Sequence, residues 1–187
     1  MIVCATIVDG AITREAEGRA IGTVLDSLEQ LVATGLNGAT VRFEGVVRAI
    51  ETSPDGSARD LAALDYTTYD PMAHRELEAL ARDVAQTHAL GALVTVHSRG
   101  HVAVGAISFV LIIVSAHRAQ SLRAMSEFID RLKQDVPIWK QPVWKSSASA
   151  PLEQNTFGWG ASSRNGGMLT PGLKAPLSCI FTIDNII

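Results

Sequence analysis

The chain has 187 residues, a length typical of one domain with an appendage; 47% of its residues are hydrophobic and 19% are charged. These proportions exclude a disordered or low-complexity protein, because enough apolar side chains are present to form a buried core. The net charge of -3 argues against a broad basic face for nucleic acid, so an anionic ligand would need a local group of cations.

The two cysteines and the apolar segments give no sign of secretion or of membrane insertion. Cys4 and Cys179 lie near opposite ends of the chain and form neither a disulfide framework nor a four-thiolate metal site. The N-terminal segment has no basic region, and the longest apolar run, residues 102–114, is too short to cross a bilayer. We therefore expect a cytoplasmic protein without a metal, a cofactor or a membrane partner.

The first quarter of the chain alternates strand and helix patterns. An apolar stretch over residues 2–8 is typical of an edge strand, and apolar residues at three- and four-residue spacing then predict a helix that ends near Gly35. Alternating apolar and polar residues predict a strand over residues 39–47. Arg48 is expected where this strand leaves the sheet.

The middle of the chain predicts a hairpin, a helix and two more strands. Turn-forming residues 53–57 separate the preceding strand from a second one over residues 61–69, and these two strands are expected to pair. Pro71 is typical of a helix start. Strands follow over residues 93–97 and 107–114, the latter buried on both faces because it is apolar throughout.

The last predicted helix begins after Ser115, a typical N-cap residue, and ends near Asp135 because Pro137 disfavours helix in the residue before it. Its predicted buried face consists of Leu122, Met125, Ile129 and Leu132. The order of elements predicts a two-layer α+β fold with a mostly antiparallel sheet over residues 1–145.

Residues 146–187 differ in composition from the rest of the chain. They begin with small and turn-forming residues and end in an apolar segment, which is typical of a linker followed by a docking strand. Two roles stay open for that apolar end. It adds a strand to a sheet edge or dimer interface, or it covers the binding pocket as an autoinhibitory plug.

Lysine is scarce in this chain, with four lysines against twelve arginines, and three of the four lie within thirteen positions: Lys133, Lys140 and Lys145. The cluster indicates either a site that needs compact ammonium groups for phosphate binding or proton transfer, or solvated charge at a helix end. His117 and Arg118 open the last predicted helix. They form either a phosphate or carboxylate site at its N-terminus or an exposed pair near the cap.

Three segments together resemble the large, catalytic subunit family of molybdopterin synthase over residues 1–145. They are VRFEGVVR at residues 41–48, LDYTTYDPMA at 64–73, and VHSRGHVAVGAISFVLIIVSAHRAQSLRAMSEFIDRLKQDVPIWK at 96–140. The most specific parts are SAHR ahead of a helix and the spacing LK-x5-WK, which ends at Lys140.

The resemblance implies an α/β hammerhead fold and a homodimer within a heterotetramer. The partner it implies is a small ubiquitin-like sulfur carrier whose C-terminal Gly-Gly bears a thiocarboxylate. The implied reaction is sulfur transfer to cyclic pyranopterin monophosphate, which yields molybdopterin in molybdenum cofactor biosynthesis. By position, Lys133 and Lys140 match the catalytic lysines of the family, and Arg48, His117 and Arg118 match groups that would bind the substrate phosphate.

The chain departs from the family after its second lysine. The family typically has an acidic residue there, whereas this chain has Gln141 and Pro142. Two other functions therefore stay open. One is a non-catalytic binding or regulatory module that engages the small subunit without turnover, and the other is an unrelated α+β protein that binds a small molecule.

Overall fold

The computed structural model describes residues 1–145. The elements, in chain order, are β1 (Ile2–Asp9), α1 (Arg14–Ala33), β2 (Ala39–Val46), β3 (Ile50–Thr52), β4 (Ala58–Thr68), α2 (Met72–Thr87), β5 (Ala92–Ala103), β6 (Ile107–Ser115), α3 (Arg118–Asp135) and β7 (Ile138–Trp144). The tail 146–187 and both of its expected roles lie outside the described residues, so the domain boundary stays a prediction.

All seven strands belong to one sheet with the order β2-β6-β5-β4-β3; β1 adds to β5 and β7 adds to β4. The β1–β5 pair is parallel and every other pair is antiparallel. The long strand β5 pairs with β1 and β6 over its first half and with β4 over its second half. The predicted α+β class with a mostly antiparallel sheet is confirmed.

Strand β6 is buried on both faces, as its continuous apolar sequence predicts, because helices cover both sides of this part of the sheet. Phe109, Leu111 and Ile113 pack with α2 and α3. The alternate residues Val110, Ile112 and Val114 pack with α1 on the opposite face. The resulting core fixes the positions of the strand ends. The candidate site residues lie at or near these ends.

The predicted pairing of the strand at residues 39–47 with the strand at 61–69 is wrong. β2 pairs with β6, and β4 forms its hairpin with the short strand β3. The expectation failed because the turn at residues 53–57 joins the nearest extended segments. These are the three residues of β3 and the start of β4, and a strand of three residues is too short to show an alternating pattern.

Helix α3 begins two residues later than predicted. His117, with extended φ and ψ angles, is the N-cap residue in place of Ser115, and its backbone N–H donates to Gln120 Oε1 at 3.0 Å. The Ser115 hydroxyl instead donates to the His117 carbonyl at 2.8 Å and lies 2.6 Å from the hydroxyl of Ser121. The chain therefore stays extended past the end of β6 before the helix starts.

The buried face of α3 is also rotated relative to the predicted one. Leu122 is 55% exposed, whereas Phe128, which the prediction did not include, is fully buried. Ile129 and Leu132 are buried as expected. The error concerns the first turns, where the small residues Ser121 and Ala124 face the sheet in place of a larger apolar side chain.

Candidate functional site

Arg48 and Lys140 contact the same carboxylate, that of Glu51. Lys140 Nζ lies 3.3 Å from Glu51 Oε1, and Arg48 Nη2 lies 3.4 Å from Glu51 Oε2. The Arg48 and Lys140 side chains are 55% and 34% exposed, whereas the Glu51 side chain is 21% exposed. The two cations thus lie at the surface on either side of a more buried carboxylate.

Three different strands bring these groups together. Arg48 follows the end of β2, as expected, and Glu51 is the central residue of β3. Lys140 lies on β7, which pairs with β4 so that Lys140 is opposite Tyr66. Among the described residues β7 pairs with β4 alone, so it is an edge strand of the described sheet, and Pro142 within it removes no hydrogen bond from a second described neighbour.

Lys140 lies opposite the buried Tyr66, which contacts other buried aromatic and polar side chains. The Tyr66 hydroxyl donates to Ser108 Oγ at 2.9 Å, and burial raises the pKa of Tyr66. The ring of His97 lies 5.3 Å from that of Tyr66, and its Nδ1 donates to the Ser98 carbonyl at 2.8 Å. Burial lowers the pKa of His97 to about 4, so this layer is uncharged at neutral pH.

Lys133 lies at the same end of the sheet as Arg48. α3 runs back along β6, since Phe128 stacks on Phe109 near the start of that strand with ring centroids 6.3 Å apart. Lys133 is therefore in the last turn of α3, close in sequence to β7, and its side chain is exposed. Its position near the helix C-terminus favours a cation.

His117 and Arg118 lie at the opposite end of the molecule. In the β2–β6 ladder, Ser115 pairs with Ala39 at one end, and Arg48 leaves the sheet just beyond the other. Arg118 in the first turn of α3 and Lys133 in its last turn are separated by about 22 Å along the helix axis. Within one chain the structure therefore does not bring the predicted anion-binding pair to the two lysines.

Glu51 and Tyr66 were not predicted as site residues. A single glutamate in a three-residue strand has no periodic or motif signal, and the aromatic Tyr66 is typical of an ordinary strand. The contact between Glu51 and Lys140 joins residues 89 positions apart. Only the strand pairings of the folded chain bring such residues together.

Within residues 1–145, no three His, Cys, Asp or Glu side chains converge as a potential metal site. No helix in the part of the chain that the structure describes is long and apolar enough to cross a membrane.

The comparisons with known proteins decide the family. The family model described as MoaE protein matches residues 22–135. This chain belongs to the MoaE protein family. The curated relatives that it matches are named molybdopterin synthase catalytic subunit, which places the chain in an enzyme family of molybdenum cofactor biosynthesis and confirms the resemblance in its sequence.

Relatives from distant organisms share similar identity with the chain. The human molybdopterin synthase catalytic subunit is 33% identical over 139 residues, which are 74% of this chain and 71% of the human protein. The subunit from a Nostoc species is 33% identical over 126 residues, 67% of this chain and 73% of that protein. Identity at this level extends over most of the residues that the structure describes.

Solved structures share the fold of this MoaE family member. Molybdopterin synthase from Staphylococcus aureus has a TM-score of 0.56 and 27% identity, covering 74% of this chain and 90% of that chain. The complex of subunits 1 and 2 of molybdopterin-converting factor from Helicobacter pylori has a TM-score of 0.54 and 21% identity. It covers 81% of this chain and 96% of that one, and at this identity it supports the fold alone.

Proposed function

We propose that this MoaE protein is the sulfur-transferring subunit that converts cyclic pyranopterin monophosphate to molybdopterin. The sulfur donor is a small ubiquitin-like partner whose C-terminal Gly-Gly carries a thiocarboxylate. The proposal rests on one observation: Arg48 and Lys140 both contact the carboxylate of Glu51. This cluster lies at the end of the sheet where Lys133 stands in the last turn of α3.

Electrostatics explains why such a reaction needs these cations. The substrate phosphate and the partner's thiocarboxylate are both anionic, so they repel each other when they share a pocket. Fixed cations offset this repulsion, and each charge-assisted hydrogen bond contributes about 1.5–3 kcal/mol. A chain with a net charge of -3 has to supply these cations as a local group.

The chemistry assigns Lys133 and Lys140 to the reacting groups. In each of two successive transfers, the thiocarboxylate sulfur bonds to a carbon of the pterin side chain as a carbon–oxygen bond of that carbon breaks; the oxygen leaves with the opened cyclic phosphate at one carbon and as water at the other. Water then adds to the acyl carbon of the partner, and the carbon–sulfur bond to the partner breaks. Sulfur stays on the pterin and the partner is released as a carboxylate. An ammonium beside the acyl oxygen stabilises the oxyanion of the tetrahedral intermediate, and a lysine can also transfer protons during these steps.

Both lysines are exposed in the single chain. The water exclusion that strengthens these electrostatic effects must therefore come from the bound partner tail and substrate. We assign Lys140 to the channel that receives the Gly-Gly tail, because it lies on an edge strand beside the buried Tyr66. Arg48 then binds the substrate phosphate on the other side of Glu51.

His117 and Arg118 take part in the same proposal through a second copy of the chain. They lie too far from Lys133 within one chain to bind the same small substrate. In a homodimer within a heterotetramer, the first turn of α3 of one copy can face Arg48 of the other copy. His117 and Arg118 of one chain then reach the substrate bound beside the lysines of the other. The backbone N–H groups at that helix start then add to phosphate binding.

A cytoplasmic location is part of the proposal and rests on the cysteine pattern. Cys4 lies partly buried in β1, where burial raises its pKa, and the spacing of Cys4 and Cys179 in the sequence favours a reducing compartment. Fractionation of cells that express the full chain at native level tests this point, and recovery with the membrane fraction would contradict it.

The function is tested by incubating the purified chain with thiocarboxylated small subunit and cyclic pyranopterin monophosphate. Molybdopterin is then quantified as its oxidised fluorescent derivative, and partner binding is measured in parallel by calorimetry. We expect both molybdopterin formation and binding of the small subunit. Binding without product would instead support the non-catalytic module, and the absence of both would support an unrelated small-molecule binder.

A further inference from the structure

We propose that Glu51 is a positioning residue that holds Lys140 and Arg48 in the geometry required for turnover. The inference rests on the proposed function and adds a residue that has no counterpart among the expected site residues. The observation behind it is the pair of contacts, 3.3 Å to Lys140 Nζ and 3.4 Å to Arg48 Nη2, made by the two oxygens of one carboxylate.

Lys140 needs such a partner because its own strand provides none. The next residues on β7, Gln141 and Pro142, carry no charge, and within residues 1–145 β7 has a neighbouring strand on one side only. A lysine side chain has many rotamers, and holding it in one geometry costs conformational entropy. Without an ion pair its ammonium would sample many positions at this exposed edge.

The hairpin of β3 and β4 fixes Glu51 in place. Its turn is closed by backbone hydrogen bonds, including one from Ser53 N to the Ser57 carbonyl at 2.8 Å. The Asp55 carboxylate also accepts hydrogen bonds from the Ser57 N–H at 2.9 Å and the Ser57 hydroxyl at 2.6 Å. The hydrogen bond from the Ser53 hydroxyl, together with those from Ser57, lowers the pKa of Asp55, so the turn keeps its charged acceptor across the physiological pH range.

Arg59, a cation that could compete for the Glu51 carboxylate, is held elsewhere. Arg59 is the cross-strand partner of Glu51 in the β3–β4 ladder, where opposite charges ordinarily pair. Its guanidinium instead lies over the ring of Trp144, 4.7 Å from the ring centroid. Glu51 thereby keeps both oxygens for Arg48 and Lys140.

The charge balance of this cluster also fits a positioning role. Two cations and one carboxylate leave a net charge of +1, so the cluster still attracts an anion. Removal of the carboxylate makes it more positive, which favours anion binding, but frees the lysine. A positioning role therefore predicts a loss of kcat without a rise of KM for the pterin phosphate, whereas a loss of folding would reduce the amount of active protein.

The kinetic test compares Glu51→Gln with Glu44→Gln. Glu44 forms a similar ion pair with Arg42 at 2.8 Å on β2, so its variant makes the same change of charge away from the cluster. We expect Glu51→Gln to lower kcat about ten- to a hundredfold with KM unchanged or lower, and Glu51→Asp to recover part of the loss. An unchanged kcat, or an equal loss in Glu44→Gln, would overturn the proposal.

A second test is independent of catalysis. The rates at which an amine-reactive reagent acylates individual lysines in the full chain are measured by mass spectrometry. Glu51→Gln should make Lys140 react several times faster and leave Lys145 unchanged. Faster labelling of Lys140 in a chain that forms no product would uphold the ion pair and reject the proposed function, whereas unchanged labelling would reject the positioning role.

Discussion

The ring of His97 meets the ring of Tyr66 edge-on, with centroids 5.3 Å apart and an interplanar angle of 78°. This contact joins β5 to β4, the strand on which Tyr66 lies opposite Lys140. His97 is buried, and its ring also lies 5.6 Å from that of Phe109. The stability of this layer depends on the neutral form of the imidazole.

Protonation of His97 should destabilise the fold at acidic pH. Burial lowers its pKa to about 4 in the folded chain, while an unfolded histidine titrates near 6.5. The contribution of neutral His97 to the free energy of unfolding is therefore fully present above about pH 6.5. It decreases as the pH falls to about 4 and is lost below that pH. The expected total loss is about 3 kcal/mol.

Urea unfolding between pH 4 and 7.5 measures this effect. His97→Gln should be less stable near neutral pH but lose most of the dependence on pH in that window. His101→Gln is the matched control, because His101 is exposed and paired with Asp65 at 2.7 Å. An equal dependence on pH in wild type and His97→Gln would show that His97 is not its source.

The ion pair between Glu17 and Arg42 should stabilise the packing of α1 on the sheet. Arg42 Nη1 and Nη2 donate to the two oxygens of Glu17 at 2.7 and 3.0 Å, and Glu17 is 7% exposed. Since Arg42 itself is partly exposed, Glu17→Gln should lower the free energy of unfolding by about 1–3 kcal/mol.

Glu15→Gln provides the control for that change. Glu15 lies in the same helix and pairs with Arg19, but both side chains are largely exposed. Glu15→Gln should lower the free energy of unfolding by about 0.5 kcal/mol or less. Urea unfolding of both variants measures the two changes. Equal effects of the two substitutions would contradict the role assigned to burial of Glu17.

Gly38 should be required by the close approach of two chain segments next to the start of α3. A Cβ atom at this position would lie 2.8 Å from the Ala116 carbonyl oxygen, which also accepts a hydrogen bond from Gly38 N. Gly38→Ala should therefore lower the free energy of unfolding by about 1–3 kcal/mol. Thermal unfolding followed by circular dichroism measures the change.

Gly18 in α1 is the matched position for the same substitution. Nothing lies within 4 Å of a Cβ atom there, so Gly18→Ala should raise the free energy of unfolding by about 0.5–1 kcal/mol. If Gly38→Ala left the free energy of unfolding unchanged, the backbone before His117 would be able to shift without cost.

Complementation between inactive variants should show whether His117 and Arg118 act from a second copy. Arg48→Ala and Arg118→Ala should each be nearly inactive alone. When the two variants are co-expressed with different tags, each mixed dimer contains one complete site, so about a quarter of the wild-type activity should return. Turnover of the purified mixture is the measurement.

Arg48→Ala co-expressed with Lys140→Ala is the control for that experiment. These two residues contact the same Glu51 of one chain, so no mixed dimer contains a complete site. Recovery in this pair, or none in the first pair, would contradict a site that combines Arg48 of one copy with Arg118 of the other.

Hydrophobic periodicity predicted most of the fold correctly. The helices α1, α2 and α3 and the strand β2 have clear periods because each buries a face against the core, and β6 is recognisable by its continuous apolar sequence. Only the first half of β5 was predicted, since its second half, which pairs with β4, contains turn-forming and polar residues. Strands β3 and β7 were missed for physical reasons. β3 has three residues, and β7 contains Pro142, which an edge strand tolerates but which is not typical of a strand.

The candidate site was less predictable than the fold. Arg48 was expected at a strand end because the alternating pattern stops there. The separation of His117 from Lys133 follows from the length of α3, but the surroundings of Lys140 depend on the pairing of β7 with β4 and on the position of β3. These contacts join residues distant in sequence, and no local pattern encodes them.

The most direct test of the account is the rate of molybdopterin formation by Lys133→Ala, Lys140→Ala and Lys145→Ala beside wild type. Each variant is supplied with thiocarboxylated small subunit and cyclic pyranopterin monophosphate, and each is first shown to bind the small subunit. We expect product from wild type and Lys145→Ala and nearly none from the other two variants. Full activity in Lys133→Ala and Lys140→Ala would contradict it.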